Sequence, residues 1–188
     1  MSTKAWIIIG AIVLAILIIT GSLVGTYNQF VGLGEQTDSS WAQVETVLQR
    51  RYDLIPNLVN TVQGFADQER EVLTEVTRLR SQWGEAQTPG QRAAAAGQLE
   101  GALGRLMIVM ERYPELKSNT NFLALQDELS GTENRIAVER RRYNDSVRLY
   151  NTAIQRLPGS LIANMEGFDR RELFEAAAAA QEAPTITF

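Results

Sequence analysis

The most prominent pattern in the chain is an uninterrupted apolar stretch near its amino terminus. Residues 5–24 carry no charge, and twelve of these twenty residues are Ile, Leu or Val. At a rise of about 1.5 Å per residue, a helix of this length matches the ~30 Å hydrocarbon core of a bilayer. Residues 7–19 are apolar on every side, which disfavours a helix packed in a soluble core. The pattern predicts a transmembrane helix, with residues 1–26 as the anchor.

A cleaved signal peptide is the main alternative for this stretch. Its apolar region would usually be about 7–15 residues long and would end in a small-x-small site. The run here is longer, no A-x-A pattern follows it, and the chain has no Cys for a lipoprotein site. We therefore expect a retained membrane anchor. Lys4 precedes the anchor and no cation follows it until Arg50, so the positive-inside rule favours a helical domain on the extracytoplasmic side.

Beyond the anchor, apolar residues recur every seven positions between residues 41 and 83. One series is Trp41, Leu48, Ile55, Val62, Val76 and Trp83, and the other is Val44, Leu58, Phe65, Val72 and Leu79. This spacing predicts one long helix with a coiled-coil-like apolar seam. Arg51 interrupts one series and Glu69 the other. Pro56 lies inside the helix and predicts a bend near residues 52–55.

Three further helices are predicted from apolar spacing and from helix-breaking Gly and Pro residues. The first break is expected at residues 83–91, and helices are expected at about 91–112, 122–157 and 169–181. Polar residues at 118–121 offer N-caps for the helix that begins at Phe122. No segment after residue 25 alternates between apolar and polar residues as a strand would. The predicted fold class is all-α, with three long helices and one short helix packed antiparallel.

Composition removes several classes of chemistry. The chain of 188 residues contains neither Cys nor His. A disulfide framework, a thiolate nucleophile, a zinc site of Cys and His, and an imidazole base are therefore excluded. The net charge of −4 argues against nucleic acid as a partner. We predict no cofactor, no metal and no small-molecule substrate.

Two polar clusters stand out from the heptad pattern, at residues 49–59 and 128–151. Their candidate residues are Arg50, Arg51, Asp53, Asn57, Glu133, Asn134, Arg135, Glu139, Tyr143 and Asn144. A charge on a bundle seam is costly unless it is paired. The favoured interpretation is a network between helices, such as Arg51 with Glu133 or Glu139. The alternatives are a partner-binding groove, or an enzyme in which Asp53 works with one of these two glutamates.

The carboxyl-terminal tail, residues 183–188, carries a third candidate contact. It ends with Ile186 and Phe188 in an apolar-x-apolar arrangement. Such an end can add as a strand to a PDZ-type groove. The alternative is a frayed terminus.

At these clusters the chain also resembles a known family. YNQFV (27–31), the stretch 41–69 with RRYDLIPNLV, the stretch 113–151 with TENRIAVERRRYN, and LPGSLIANMEGF (157–168) are similar to the LemA family. The resemblance implies a single-pass protein of the bacterial inner membrane whose residues 27–182 form an up-and-down four-helix bundle. Family members often have His where this chain has Gln68 and Phe where it has Leu157. The first difference removes a titratable group and so further weakens a catalytic interpretation.

The resemblance says more about architecture than about function, because the family has no established enzymatic activity. The predicted function is a non-enzymatic scaffold or adaptor in the cell envelope that binds protein partners and self-associates. It would contact the bilayer through residues 5–24. One alternative is a membrane-stress factor that recruits a protease or another partner through its tail, and another is the carboxylate enzyme.

Overall fold

The computed structural model describes residues 3–65 and 69–174. Within these ranges it contains helices and no strand. The helices are α1 (Thr3–Gln63), α2 (Arg70–Glu85), α3 (Pro89–Met110), α4 (Pro114–Lys117), α5 (Thr120–Gln155) and α6 (Gly159–Glu166). The predicted all-α fold class is confirmed.

The chain divides into two compact units. The anchor unit consists of Met1–Ser39 and Asp145–Arg171, and the bundle unit consists of Ser40–Asn144 and the chain from Glu172 onward. Helices α1 and α5 each contribute residues to both units.

In the bundle unit, four helical segments lie side by side in alternating directions. Trp41 of α1 contacts Tyr143 of α5, with ring centroids 5.2 Å apart. Further along α1, Arg51 pairs with a residue that comes earlier in α5, Glu133, so these two helices run antiparallel. Six residues separate α1 from α2 and three separate α2 from α3, and α2 packs on α3. The bundle unit is therefore an up-and-down four-helix bundle, as short connections favour.

The apolar seams form the core of this bundle. Its fully buried side chains include Val44, Leu48, Ile55, Leu58, Val62, Val76, Leu79, Leu99 and Leu106. Two residues assigned to the seams from their spacing are exposed instead, Phe65 and Leu157. Both lie just beyond the end of a helix, where the helical period no longer holds a side chain toward the core.

The prediction of one helix through residues 41–83 was wrong. The first break falls at residues 64–69, where α1 ends and α2 begins, and not at 83–91. Gly64 follows the last residue of α1, and the Phe65 N–H donates to the carbonyl of Val62 in a tight turn. In the sequence, the interruption of the apolar series by Glu69 indicates this break. Pro56 lies inside α1 and does not end it; the bend near it stays a prediction.

Two helix starts are capped by side chains. Before α3, the Thr88 hydroxyl accepts from the Gln91 N–H while the Gln91 amide oxygen accepts from the Thr88 N–H, which is a capping box. Before α5, the Asn119 side chain accepts from the backbone N–H groups of Asn121 and Phe122. The N-cap predicted at residues 118–121 is confirmed.

The helix predicted at residues 169–181 is wrong for residues 169–174, and a short helix lies before them instead. Helix α6 lies at Gly159–Glu166, and Gly167 ends it in the left-handed region, with φ of 74°. Residues 168–174 are not helical. The remainder of the predicted helix, residues 175–181, lies outside the described residues.

The anchor unit has a small core of its own. It contains Phe30, Tyr150, Ile154, Ile162 and Ala163. Gly159 is required here, because a Cβ at this position would lie 2.7 Å from both the Phe30 ring and the carbonyl oxygen of Ala153.

Candidate functional site

The seam charge Arg51 pairs with Glu133 across the bundle, from α1 to α5. The Arg51 side chain is 12% exposed and the Glu133 side chain 39%, so solvent reaches the pair from the α5 side. The Arg51 Nε is buried and has no hydrogen-bond partner among the described residues. Glu133 supplies the negative charge that Arg51 needs, because an unpaired buried guanidinium would be costly.

A second carboxylate, Glu100 on α3, lies near this pair. Desolvation of its carboxylate and the neighbouring Glu133 carboxylate raise the pKa of Glu100, although the residue as a whole is exposed, while Arg51 and Arg140 oppose the shift. Glu100 also lines a small cavity of about 20 Å³ together with Arg51, Arg140 and Tyr52. That volume suits about one water molecule. The cluster thus brings the Glu100 and Glu133 carboxylates close to the Arg51 and Arg140 guanidinium groups.

Tyr52, which lines the same cavity, stacks on Trp83, with ring centroids 4.0 Å apart and an angle of 18° between the rings. Burial raises the pKa of Tyr52, so its hydroxyl stays protonated. The backbone carbonyl of Tyr52 has a special position, because Pro56 lacks the N–H that would bond to it within the helix. The Arg80 Nε of α2 donates to this carbonyl at 3.2 Å. A side chain of the neighbouring helix thus replaces the bond that the proline removes.

The other residues of the first cluster do not join one network. Arg50 pairs with Glu128 at the surface, and Asp53 accepts a hydrogen bond from Gln49 at 2.8 Å. Asn57 is exposed. The cluster is therefore divided between one inward pair, Arg51 with Glu133, and surface contacts along α1.

In the second cluster, Glu139 pairs with Arg142 one turn away at 2.8 Å, and not with Arg51. Asn134 and Arg135 are exposed. In the contacts of the described residues, Asp53 meets neither Glu133 nor Glu139. No group of three acidic side chains that could hold a metal ion occurs within residues 3–65 and 69–174. A two-carboxylate site built on Asp53 thus has no support in these contacts.

Tyr143 and Asn144 hold the extended segment that leaves the anchor unit. The Asn144 amide donates to the carbonyl of Phe174 at 3.0 Å and accepts from its N–H at 2.8 Å. The Tyr143 hydroxyl donates to the carbonyl of Glu172 at 2.9 Å. An Asn side chain that meets both groups of one residue acts like a neighbouring β-strand. The Phe174 ring packs between Trp41 and the Arg140 guanidinium.

A second asparagine clamp lies within the anchor unit. Asn151 donates to the carbonyl of Arg171 and accepts from its N–H, both at 2.9 Å. The Arg171 guanidinium forms two hydrogen bonds with Asp38, which raise its pKa, and lies over the Tyr150 ring. Sequence reasoning missed Asn151 and Glu100. The spacing of seven residues from Asn144 to Asn151 was the available signal for the clamp, whereas nothing in the sequence marked Glu100.

Three positions named from the sequence lie outside the described residues. They are Gln68, Ile186 and Phe188.

The apolar stretch forms part of α1, the one described helix that is long and apolar enough to cross a membrane. No side chain from residue 6 to residue 24 is buried against the protein. A bilayer would satisfy this surface, since hydrocarbon is the environment that an all-round apolar helix requires.

Comparison with known proteins agrees with this architecture. The family model described as "LemA family" matches residues 40–188. Magnetosome protein MamQ of Magnetospirillum gryphiswaldense and magnetosome protein MamQ 2 of Paramagnetospirillum magneticum are each 29% identical, over 93% of this chain and 74% of theirs. Protein LemA of Metamycoplasma hominis is 23% identical over 70% of this chain and 60% of its own length. The chain is a membrane-anchored helical protein, and it belongs to the LemA family.

Proposed function

We propose that this protein is a non-enzymatic scaffold of the bacterial inner membrane, whose bundle binds protein partners and self-associates. The supporting observation is the combination in α1 of a fully exposed apolar span with a bundle helix in one unbroken element. The polar residues whose contacts are described above bond to one another or to the backbone of the chain. The cavity beside Arg51, where the seam charges meet, measures about 20 Å³, which is too small for a substrate.

Exposed apolar side chains on the bundle are candidate partner contacts. Ile108 on α3 is 72% exposed, and Val138 on α5 is 47% exposed. Scattered exposed apolar residues are common, so these two are starting points for mapping and not a defined patch.

Photo-crosslinking in native membranes tests the scaffold. Amine-reactive reagents suit the chain poorly, because Lys4 and Lys117 are its only lysines. A photoreactive residue at Ile108 or Val138 is expected to trap a second copy or another protein, and the same residue at exposed Gln98 is the matched control. Monomer alone from both apolar positions, with no protein co-purifying in mild detergent, would refute the proposal.

We also propose that the bundle lies on the extracytoplasmic side, from the position of Lys4 before the span. The natural absence of Cys makes a direct test simple. A Gln98→Cys variant is treated with a membrane-impermeant maleimide in spheroplasts and after lysis. Equal labelling of spheroplasts and lysate would put the bundle on the extracytoplasmic side, whereas labelling only after lysis would put it on the cytoplasmic side.

A further inference from the structure

Helix α6 presents two apolar side chains to the outside. Leu161 is 60% exposed and Met165 is 81% exposed. They are four residues apart, so they lie on one face of the helix. The opposite face carries Gly159, Ile162 and Ala163, which are buried. The helix is therefore apolar both toward the protein and away from it.

The outward face of α6 adjoins the end of the apolar span. Met165 and Ile162 line an open cleft of about 270 Å³ together with Leu23, Val24 and Tyr27 of α1. Glu166 is the one charged residue in this lining. The cleft is thus continuous with the surface that the bilayer covers.

Aromatic side chains mark the depth of this region. Trp6 and Tyr27 lie near the two ends of the span, and the rise along the helix from one to the other is roughly 32 Å. This length matches the hydrocarbon core, and both residue types favour the interface. The Phe168 ring meets Tyr27 edge-on, with centroids 5.6 Å apart. Helix α6 ends at Glu166, two residues before Phe168, and therefore lies at the level of Tyr27.

Cations lie beside the same end of the span. Arg148 and Arg156 line a cleft of about 490 Å³ with Thr26 and Gln29 of α1. Arg148 is paired with Asp145 at 2.8 Å. Within the part of the chain that the structure describes, the Arg156 side chain has no ion pair. A guanidinium at this depth would face lipid phosphates.

We propose that α6 is an interfacial helix that lies in the lipid bilayer surface, with Leu161 and Met165 among the acyl chains and Arg156 at a lipid phosphate. Apolar residues on one face with a cation at the headgroup level are typical of such helices. The inference rests on the proposed membrane anchor, and it gives the protein a second lipid contact, distant in sequence from the first.

Site-directed spin labelling of the full chain in nanodiscs of phosphatidylcholine and phosphatidylglycerol tests the proposal. Three single-Cys variants are compared: Leu161→Cys on α6, Ile16→Cys within the span, and Ile108→Cys on the bundle. Ile108 is the matched control, because it is an exposed apolar residue remote in sequence from the span. Accessibility to oxygen relative to a nickel chelate is measured at each label. We expect the ratio at Leu161 to lie between the other two and several-fold above that at Ile108.

The possible results separate the two proposals. A Leu161 label as accessible to the nickel chelate as the Ile108 label, with Ile16 in hydrocarbon, would overturn the interfacial helix and leave the anchor intact. An Ile16 label in water would overturn the anchor itself. A Leu161 label shielded from both reagents would indicate a protein partner on α6 and would also overturn lipid contact.

A charge variant provides a second measurement. Leu161→Glu with Met165→Glu should move a label at Ser160→Cys toward water without unfolding the chain, because both replaced side chains are exposed. Arg156→Gln should reduce the difference in label depth between nanodiscs with and without phosphatidylglycerol. No change at the Ser160 label in the double variant would contradict the proposal.

Discussion

The hydrogen bond from Arg80 to the carbonyl of Tyr52 gives a quantitative prediction about the proline in α1. Arg80→Met keeps most of the aliphatic stem but removes the donor, so the carbonyl that Pro56 leaves without a helical partner loses its bond. A hydrogen bond from a charged group contributes about 1.5–3 kcal/mol, and the part-buried setting and the 3.2 Å length favour the lower end. We expect a loss of about 1.5 kcal/mol in the free energy of unfolding.

The same substitution should cost less when the proline is absent. In a Pro56→Ala background, the new N–H of residue 56 can bond to the Tyr52 carbonyl, so Arg80→Met should cost only about 0.5 kcal/mol. The coupling energy between the two positions is then about 1 kcal/mol, within the range for residues that share a partner. The cycle cancels the separate effects of Pro56→Ala on helix propensity and on the unfolded chain.

Urea unfolding of the full chain in dodecyl maltoside, followed by Trp fluorescence, measures these values. Trp83 is buried and stacks on Tyr52, so its emission reports directly on this region. With an m-value of about 2 kcal/mol/M, a loss of 1.5 kcal/mol lowers the midpoint by about 0.7 M. Arg78→Met is the matched control, because Arg78 is exposed and bonds only to Glu75 on its own helix. Equal costs of Arg80→Met with and without Pro56 would refute this reasoning.

Three further predictions concern polar groups of the bundle. Glu100→Gln should stabilise the protein at about pH 7 and should have no effect below the ordinary glutamate pKa. The reason is that a carboxyl group whose pKa is raised in the folded state makes the protein less stable as the pH rises from the ordinary pKa to the raised one. Glu133→Gln should lower the free energy of unfolding by about 2 kcal/mol, less than for a fully buried pair because Glu133 is partly exposed. Replacing Glu133 by Leu together with Arg51→Met should recover most of this loss. Asn144→Ala removes both hydrogen bonds to the extended segment and should accelerate tryptic cleavage after Arg171. Urea unfolding measures the effects of the two glutamate substitutions, and timed proteolysis measures the effect of the asparagine substitution.

Each of these predictions has a control on the same helix or, for Glu100, at the residue that directly follows that helix. Glu111→Gln and Asn134→Ala change exposed side chains of the same type and should have little effect. Glu128→Gln breaks a surface pair and should cost less than Glu133→Gln. A pH-independent effect of Glu100→Gln, a Glu133→Gln variant as stable as the parent, or unchanged cleavage in Asn144→Ala would contradict the corresponding argument.

The sequence predicted most of the helices because their signals are local. The uncharged run at residues 5–24, the apolar face of α3 and the heptads of α5 are all readable within one helix, and buried seam residues such as Leu48 and Ile136 lie where the spacing placed them. The break between α1 and α2 was missed because the seven-residue spacing of apolar residues continues in register across it. The two halves then share one apparent period although they run in opposite directions.

The candidate site was less predictable, because its partners come from different helices. The seam position of Arg51 indicated that it needs an anion, but spacing alone could not choose between Glu133 and Glu139, which lie less than two turns apart on α5. Tyr143 and Asn144 were singled out as network members. Only the structure shows that they hold the backbone of residues 172–174.

By itself, then, the sequence determined the anchor, the all-α class and the side of each long helix that is buried, because hydropathy and the helical period act within one element. The tertiary structure decided what lies opposite those faces: Glu133 and Glu100 near Arg51, Arg80 at the carbonyl freed by Pro56, and α6 beside the end of the span. These contacts join residues tens of positions apart. A pattern of residues within one helix therefore could not predict them.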